Sequence, residues 1–166
     1  MASSAMKFLV LFAICVLPAL VSATARPVKT PLTVCGKVYC DTCKAGFETS
    51  ATTFIPGAKV MLECRDRKTM QVHYTANAVT DSTGSYEITV DYDHGDHLCE
   101  AALVSSPDAS CAKFAPGRDR SVVILTSNNG VASTVRYANN MGFMADQPMS
   151  GCAQVLQQYL EADEDV

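Results

Sequence analysis

The sequence predicts an all-β fold: a single small antiparallel β-sandwich or barrel of about seven strands, finished by a short C-terminal helix. Three observations carry that expectation. Short β-patterned runs recur along the chain, at residues 32–39, 58–65, 71–80, 85–91, 98–105, 121–127 and 131–137. The residues between them are turn formers: Pro56-Gly57, Asp81-Ser82-Thr83-Gly84, Asp93-His94-Gly95-Asp96 and Asn128-Asn129-Gly130. Within the runs, apolar and polar residues alternate with the period of 2 that a half-buried strand requires. Short strands at this spacing build sandwiches and barrels. No tryptophan is present, so the Cys-Trp-Cys core of an immunoglobulin domain is excluded.

The chain opens with Lys7, an apolar stretch over residues 8–17, and small residues at Val21-Ser22-Ala23 and Ala23-Thr24-Ala25. That order describes a secretory signal peptide over residues 1–25. The apolar stretch is shorter than the ~20 residues that span a bilayer, so no membrane insertion is expected. Residues 26–166 then form one domain, large enough to bury a real core. Seven of the 8 cysteines lie in it, and a secreted chain meets an oxidising space in which cysteines pair. Loss of the leader removes Lys7 and no acid, which leaves 12 basic against 17 acidic residues and no basic block. Binding to a nucleic-acid backbone is therefore excluded.

The elements can be justified in order. Residues 26–31 contain two prolines and read as an extended, frayed start. In the first strand Val34, Gly36, Val38 and Cys40 share one face, and Cys35, Lys37 and Tyr39 the other. In the second, Val60, Leu62 and Cys64 oppose Lys59, Glu63 and Arg65. Tyr86, Ile88 and Val90 oppose Glu87 and Thr89 in the fourth, and Cys99, Ala101 and Leu103 are in phase in the fifth. Cys64 and Cys99 thus point where the apolar residues point, well placed to bond to each other inside the core. The Asn-Gly step at 129–130 favours positive φ and predicts a hairpin between the sixth and seventh runs. Near the end, Cys152, Val155, Leu156, Tyr159 and Leu160 fall on one stripe at helical spacing, with Ser150 placed to cap the helix. The acidic residues 161–166 read as a solvated tail.

Three sets of polar groups have the residue types for chemistry. Cys40-Asp41-Thr42-Cys43 has the spacing of a redox pair, but no βαβ pattern surrounds it, so structural disulfides to two distant partners are expected instead. Asp91, Asp93, His94, Asp96 and His97 gather three carboxylates and two imidazoles, yet their spacing matches no EF-hand and the segment is an ordinary turn. His73 reads as a plain strand residue. No G-x-S-x-G or H-E-x-x-H occurs, and the expectation is a protein that is not an enzyme and uses no metal or cofactor.

The run Val38-Tyr39-Cys40-Asp41-Thr42-Cys43-Lys44-Ala45-Gly46-Phe47, with six cysteines in this order, resembles the secreted plant family of the olive pollen allergen Ole e 1. Further matching segments are residues 55–64, 80–88, 93–111, 125–131, 136–143 and 152–156, and the grass group-11 pollen allergens look especially similar. The resemblance implies a small all-β domain with three disulfides: Cys40–Cys111, Cys43–Cys152 and Cys64–Cys99. Cys35 departs from the pattern as an extra thiol, expected unpaired on the outer face beside Lys37, whose charge would favour its thiolate. The resemblance further implies a secreted, extracellular interaction protein and allergen that acts in pollen hydration, germination or tube growth. Its partners would be an extracellular protein, such as a receptor kinase, or a cell-wall component. Loops 44–57 and 106–120 are the expected recognition surfaces. The alternative is a trypsin-type protease inhibitor, with a Lys or Arg of residues 112–120 offered to the protease.

Overall fold

The computed structural model describes residues 30–164. The expected signal peptide, residues 1–25, lies outside them. Among the described residues, no helix is long and apolar enough to cross a membrane.

Two sheets face each other across one core. The smaller has four antiparallel strands: β3 (Lys59–Asp66), β4 (Val72–Val79), β6 (His97–Ser105) and β8 (Arg120–Val123), in the order β4-β3-β6-β8. The larger is organised on β1 (Leu32–Asp41), whose ten residues are long enough to take two partners on each edge. On one edge β5 (Ser85–Val90) and β2 (Thr53–Phe54) run antiparallel to it. On the other, β9 (Val135–Tyr137) and β10 (Met141–Met144) run parallel to it, and β7 (Lys113–Phe114) pairs with β10 beyond. The sandwich is therefore antiparallel apart from these two pairings with β1.

Side-chain alternation places the core where the period of 2 requires. Val34 and Val38 of β1 and Tyr86, Ile88 and Val90 of β5 face Val60, Leu62 and Cys64 of β3 and Cys99, Ala101 and Leu103 of β6, all buried. Cys64 and Cys99 are directly opposed across β3 and β6, and their disulfide lies wholly inside. Two further disulfides, Cys40–Cys111 and Cys43–Cys152, close separations of 71 and 109 residues at the end of β1.

Three expectations need correction. The Asn128-Asn129-Gly130 step does not join a hairpin, because β8 belongs to the smaller sheet and β9 to the larger. Gly130 does take the positive φ of 78° that Asn-Gly favours. The crossover around it is organised by two side chains instead. The buried Arg136 guanidinium donates to the carbonyls of Thr126, Ser133 and Val135, and Asp93 accepts from Thr126 Oγ1 and Ser127 N. Strands 121–127 and 131–137 are shortened accordingly. The helix α1 (Cys152–Glu164) continues into the acidic stretch read as a tail, as the helix formers Glu161, Ala162 and Glu164 favour. Finally, Gly151 rather than Ser150 occupies the capping position, its carbonyl accepting from Gln154 and Val155. Cys152 is buried, Val155 and Leu156 half-buried, and Tyr159 and Leu160 exposed. The disulfide, more than an apolar stripe, ties this helix down.

Candidate functional site on the first strand

The motif around Cys40 and Cys43 is a strand end built into a tight loop. Asp41 is 1% exposed, and its carboxylate accepts the backbone N–H groups of Ala45 and Gly46 at 3.0 and 2.7 Å. A buried carboxylate needs such donors. The chain turns back through Lys44 and Gly46, both at positive φ. Cys40 and Cys43 point to different partners, so this spacing serves a bracing role and the pair holds no thiol for redox exchange. Tyr39 lies on the outer face of the sheet, yet it is 1% exposed. Its ring lies over Gly142, the residue paired with it across β1 and β10.

Loops 44–57 and 106–120, the expected recognition surfaces, are braced against each other and against the sheet. Arg118 reaches from the second loop to the carbonyl of Gly46 in the first. Lys113 pairs with Asp146 at 2.7 Å, and Glu48 accepts from Asn140 Nδ2. Cys111 anchors the second loop to β1.

A further open surface is the outer face of the larger sheet along the first half of β1. A groove of about 450 Å³ runs there, lined by Cys35, Lys37, Phe54, Glu87 and Tyr137 among others. Tyr137 is 81% exposed and Phe54 40%. Lys37 Nζ sits 4.6 Å from the centre of the Phe54 ring, a cation–π contact. The groove thus presents two aromatic faces, a cation and an anion on rigid strands.

Cys35 is free and half-buried at this face. Its expected setting is corrected in one respect. Burial, and then the charge of Glu87 directly opposite on β5, push the thiol pKa up. Lys37 is two residues along the strand and turned to Phe54, so the thiolate is disfavoured.

The second polar region lies at the other end of the sandwich. All 3 histidines of the chain meet there. His94 and His97 approach Nδ1 to Nδ1 at 3.3 Å, and the His73 and His97 rings are 5.0 Å apart. Sequence reasoning grouped His94 and His97 but left His73 apart, because β4 is paired to β3, which pairs in turn to β6. Asp93 is a loop staple: besides Thr126 and Ser127 it accepts from Gly95 N. Asp91 and Asp96 are exposed.

The fold and this face together define a disulfide-braced β-sandwich with an amphipathic groove on its larger sheet. Comparison with known proteins places it further. The family model described as "Pollen protein Ole e 1 like" matches residues 30–160, and the chain belongs to that family. It is 45% identical over 160 residues to Protein DOWNSTREAM OF FLC of Arabidopsis thaliana, covering 96% of this chain and 95% of that protein. It is 42% identical over 127 residues to pollen allergen Phl p 11 of Phleum pratense, covering 76% and 89%. The crystal structure of the major plantain pollen allergen Pla l 1 matches with a TM-score of 0.67 at 28% identity, over 74% of this chain and 100% of that one.

Proposed function

We propose that this protein is a secreted, extracellular, non-enzymatic binding domain that acts in pollen hydration, germination or tube growth by docking an extracellular protein, such as a receptor kinase, onto the β1 groove. The named pollen relatives support the setting, and their description as allergens extends to this chain as part of the same reading. The observation that carries the docking reading is the exposure of Tyr137 and Phe54, on opposite edges of β1, around one groove with Lys37 and Glu87 on a braced sheet. Aromatic anchors are what protein interfaces concentrate, within a polar rim. A cell-wall saccharide, which also stacks on aromatic rings, is the other class of partner for the same face.

The test is a cross-linked pull-down from pollen-tube or stigma extracts, run with the native protein and with Tyr137→Ala and Phe54→Ala. A specific partner lost in both variants, and kept in Val79→Ser on the smaller sheet, supports the reading. Capture unaffected by the groove variants refutes it. The trypsin-inhibitor alternative finds no favouring observation: Lys113 is held in β7 by Asp146, Arg118 by the Gly46 carbonyl, and Arg120 in β8 by Glu100.

A further inference from the structure

Of the residues that precede the 9 glycines, only one is an asparagine and none is an aspartate: Asn129, before Gly130. That step lies midway along the crossover from β8 to β9. The two ends of the crossover are pinned. Asp93 accepts from Thr126 Oγ1 and Ser127 N, and Arg136 donates to the carbonyls of Thr126, Ser133 and Val135. Between those anchors, residues 128–132 are all exposed. The crossover is an arch with fixed feet and a centre that contributes nothing to the core.

Within the arch, Asn129 Oδ1 accepts the N–H of Val131 at 3.1 Å. This closes a side-chain turn over the Gly130 peptide and folds the Asn129 amide back along its own backbone. Gly130 has a φ of 78°, and no atom lies within 4 Å of where its Cβ would stand. Its N–H makes no hydrogen bond among the described residues. An amide carbon bent back toward an unhindered, uncommitted nitrogen is set up for ring closure. The other four asparagines differ. Asn77 lies in β4, paired to β3. Asn140 gives its Nδ2 to Glu48 and precedes Met141 of β10. Asn128 and Asn139 are each followed by an asparagine, whose side chain crowds the nitrogen that would have to attack.

We propose that Asn129 is a site of self-assisted covalent modification, in which the chain converts it through a succinimide to aspartyl and isoaspartyl forms. Solvent base takes the Gly130 N–H proton, the N–Cγ bond forms, and negative charge gathers on Oδ1. The Cγ–Nδ2 bond then breaks, and the leaving nitrogen takes a proton from water and departs as ammonia. Water adds to one of the two ring carbonyls. Opening at Cγ restores the ordinary backbone with an aspartate. Opening at the backbone carbonyl routes the chain through Cβ and Cγ and leaves the α-carboxylate as the side group. The net change consumes one water, releases one ammonia and adds one negative charge. The Val131 N–H is the assisting group. It already donates to the oxygen on which the charge develops, as an oxyanion-hole donor does. Because both feet of the arch are pinned, the product keeps the fold.

The experiment ages the oxidised protein in heavy-oxygen water at mildly alkaline pH and maps its peptides. An isoaspartate-specific carboxyl methyltransferase with its methyl donor serves as the probe for the rerouted product. One heavy oxygen is expected at position 129, with a methyl-accepting product and the other four asparagines intact. Unfolding midpoints of fresh and aged protein should coincide. Gly130→Ala slows the conversion severalfold. Val131→Pro removes the donated N–H at an exposed position. It slows conversion severalfold in the folded protein and little in denaturant, which separates assistance by the arch from the chemistry of any Asn-Gly step. No conversion at Asn129, conversion spread over the other asparagines, or an equal folded-state rate in Val131→Pro overturns the proposal.

Discussion

Gly36→Ala tests how the larger sheet is packed. Gly36 has the same strand phase as Val34 and Val38 and pairs with Tyr86 across β1 and β5. The Tyr86 ring is laid flat over it. A Cβ at position 36 would stand 2.6 Å from Tyr86 Oη, 2.8 Å from Cζ and 2.9 Å from Cε1. Ordinary contact begins near 3.4 Å, so the ring must shift by a large fraction of an ångström. Tyr86 is 2% exposed and enclosed in the core, where such overpacking costs about 1–3 kcal/mol. Gly36 has no positive φ, so no backbone strain enters. The entropy lost from the unfolded chain on replacing Gly works the other way, by about 0.4–1 kcal/mol. The net expectation is a loss of about 1–2 kcal/mol. For a domain of this size that is a fall in Tm of roughly 3–10 °C in the oxidised protein.

The second half of the experiment isolates the cause. Tyr86 Oη is both the nearest obstacle and a buried hydroxyl without a hydrogen-bond partner. Tyr86→Phe alone should therefore be neutral or stabilising, by up to about 1 kcal/mol. In that background Gly36→Ala should cost measurably less. A Tm for Gly36→Ala at or above that of the parent would refute the reasoning. An undiminished cost in the Tyr86→Phe background would assign the clash to Cζ and Cε1, which Phe keeps, and not to the hydroxyl.

Three other outcomes follow from single observations. Gly130→Val should lower stability by about 1–2 kcal/mol from its φ of 78° alone, since no atom lies near a Cβ built there. Asn128→Ala should change the denaturant midpoint little, and equal midpoints would remove the strain argument. Iodoacetamide on the native, unreduced protein should label Cys35 alone, more slowly at pH 8 than a free thiol. Glu87→Gln should speed it, because burial and then Glu87 hold its pKa up; peptide mapping with label on another cysteine contradicts this. Acid unfolding should set in only below about pH 4. The carboxyls of Asp66 (through the Thr69 and Lys68 N–H groups), Asp81 (Thr83 hydroxyl first) and Asp108 (Ser110 hydroxyl first) titrate lower folded than unfolded. Their stabilisation is full above the unfolded value and lost as pH falls through the folded ones. A midpoint that moves with pH between 5 and 8 in proportion to these three residues would contradict it.

What the sequence revealed was set by local periodicity. Strands β3, β5 and β6 alternate cleanly because one face is core and the other solvent, and their phases place Cys64 opposite Cys99. β10 escaped because it is buried on both sides: Met141 and Phe143 are in the core, and Gly142 lies beneath the Tyr39 ring. A strand covered on both faces carries no alternation to detect. The two-residue strands β2 and β7 are too short for any period. Asn129-Gly130 reported its φ faithfully but not its partner, since turn chemistry is local and the choice of sheet was made by Arg136 and Asp93 across the crossover. Cys35 is the free thiol that was expected, but its electrostatic setting differs from the expectation for the same reason. Lys37 is its neighbour in sequence, whereas Glu87, its neighbour in space, decides its electrostatics.

The family motif and the groove have one physical origin in β1. Its ten residues pair on both edges with four other strands, which leaves its outer face to be either covered or exposed. The second half is covered: Asp41 collects the loop after Cys43, Arg118 laces that loop to the one after Cys111, and Tyr39 is sealed beneath them. Two disulfides then fix the cover, so the Cys-x-x-Cys spacing serves to secure a lid over half a strand. The first half, Cys35 to Lys37, lies beyond the reach of that cover. There the sheet presents Phe54, Tyr137, Lys37 and Glu87 on a support that cannot relax. Binding to such a surface costs little ordering of the protein itself. This division of β1 demands that opening Cys40–Cys111 free the loop after Cys111 while β5 and β9 still hold the groove half of the strand; loss of that pairing on reduction would refute it.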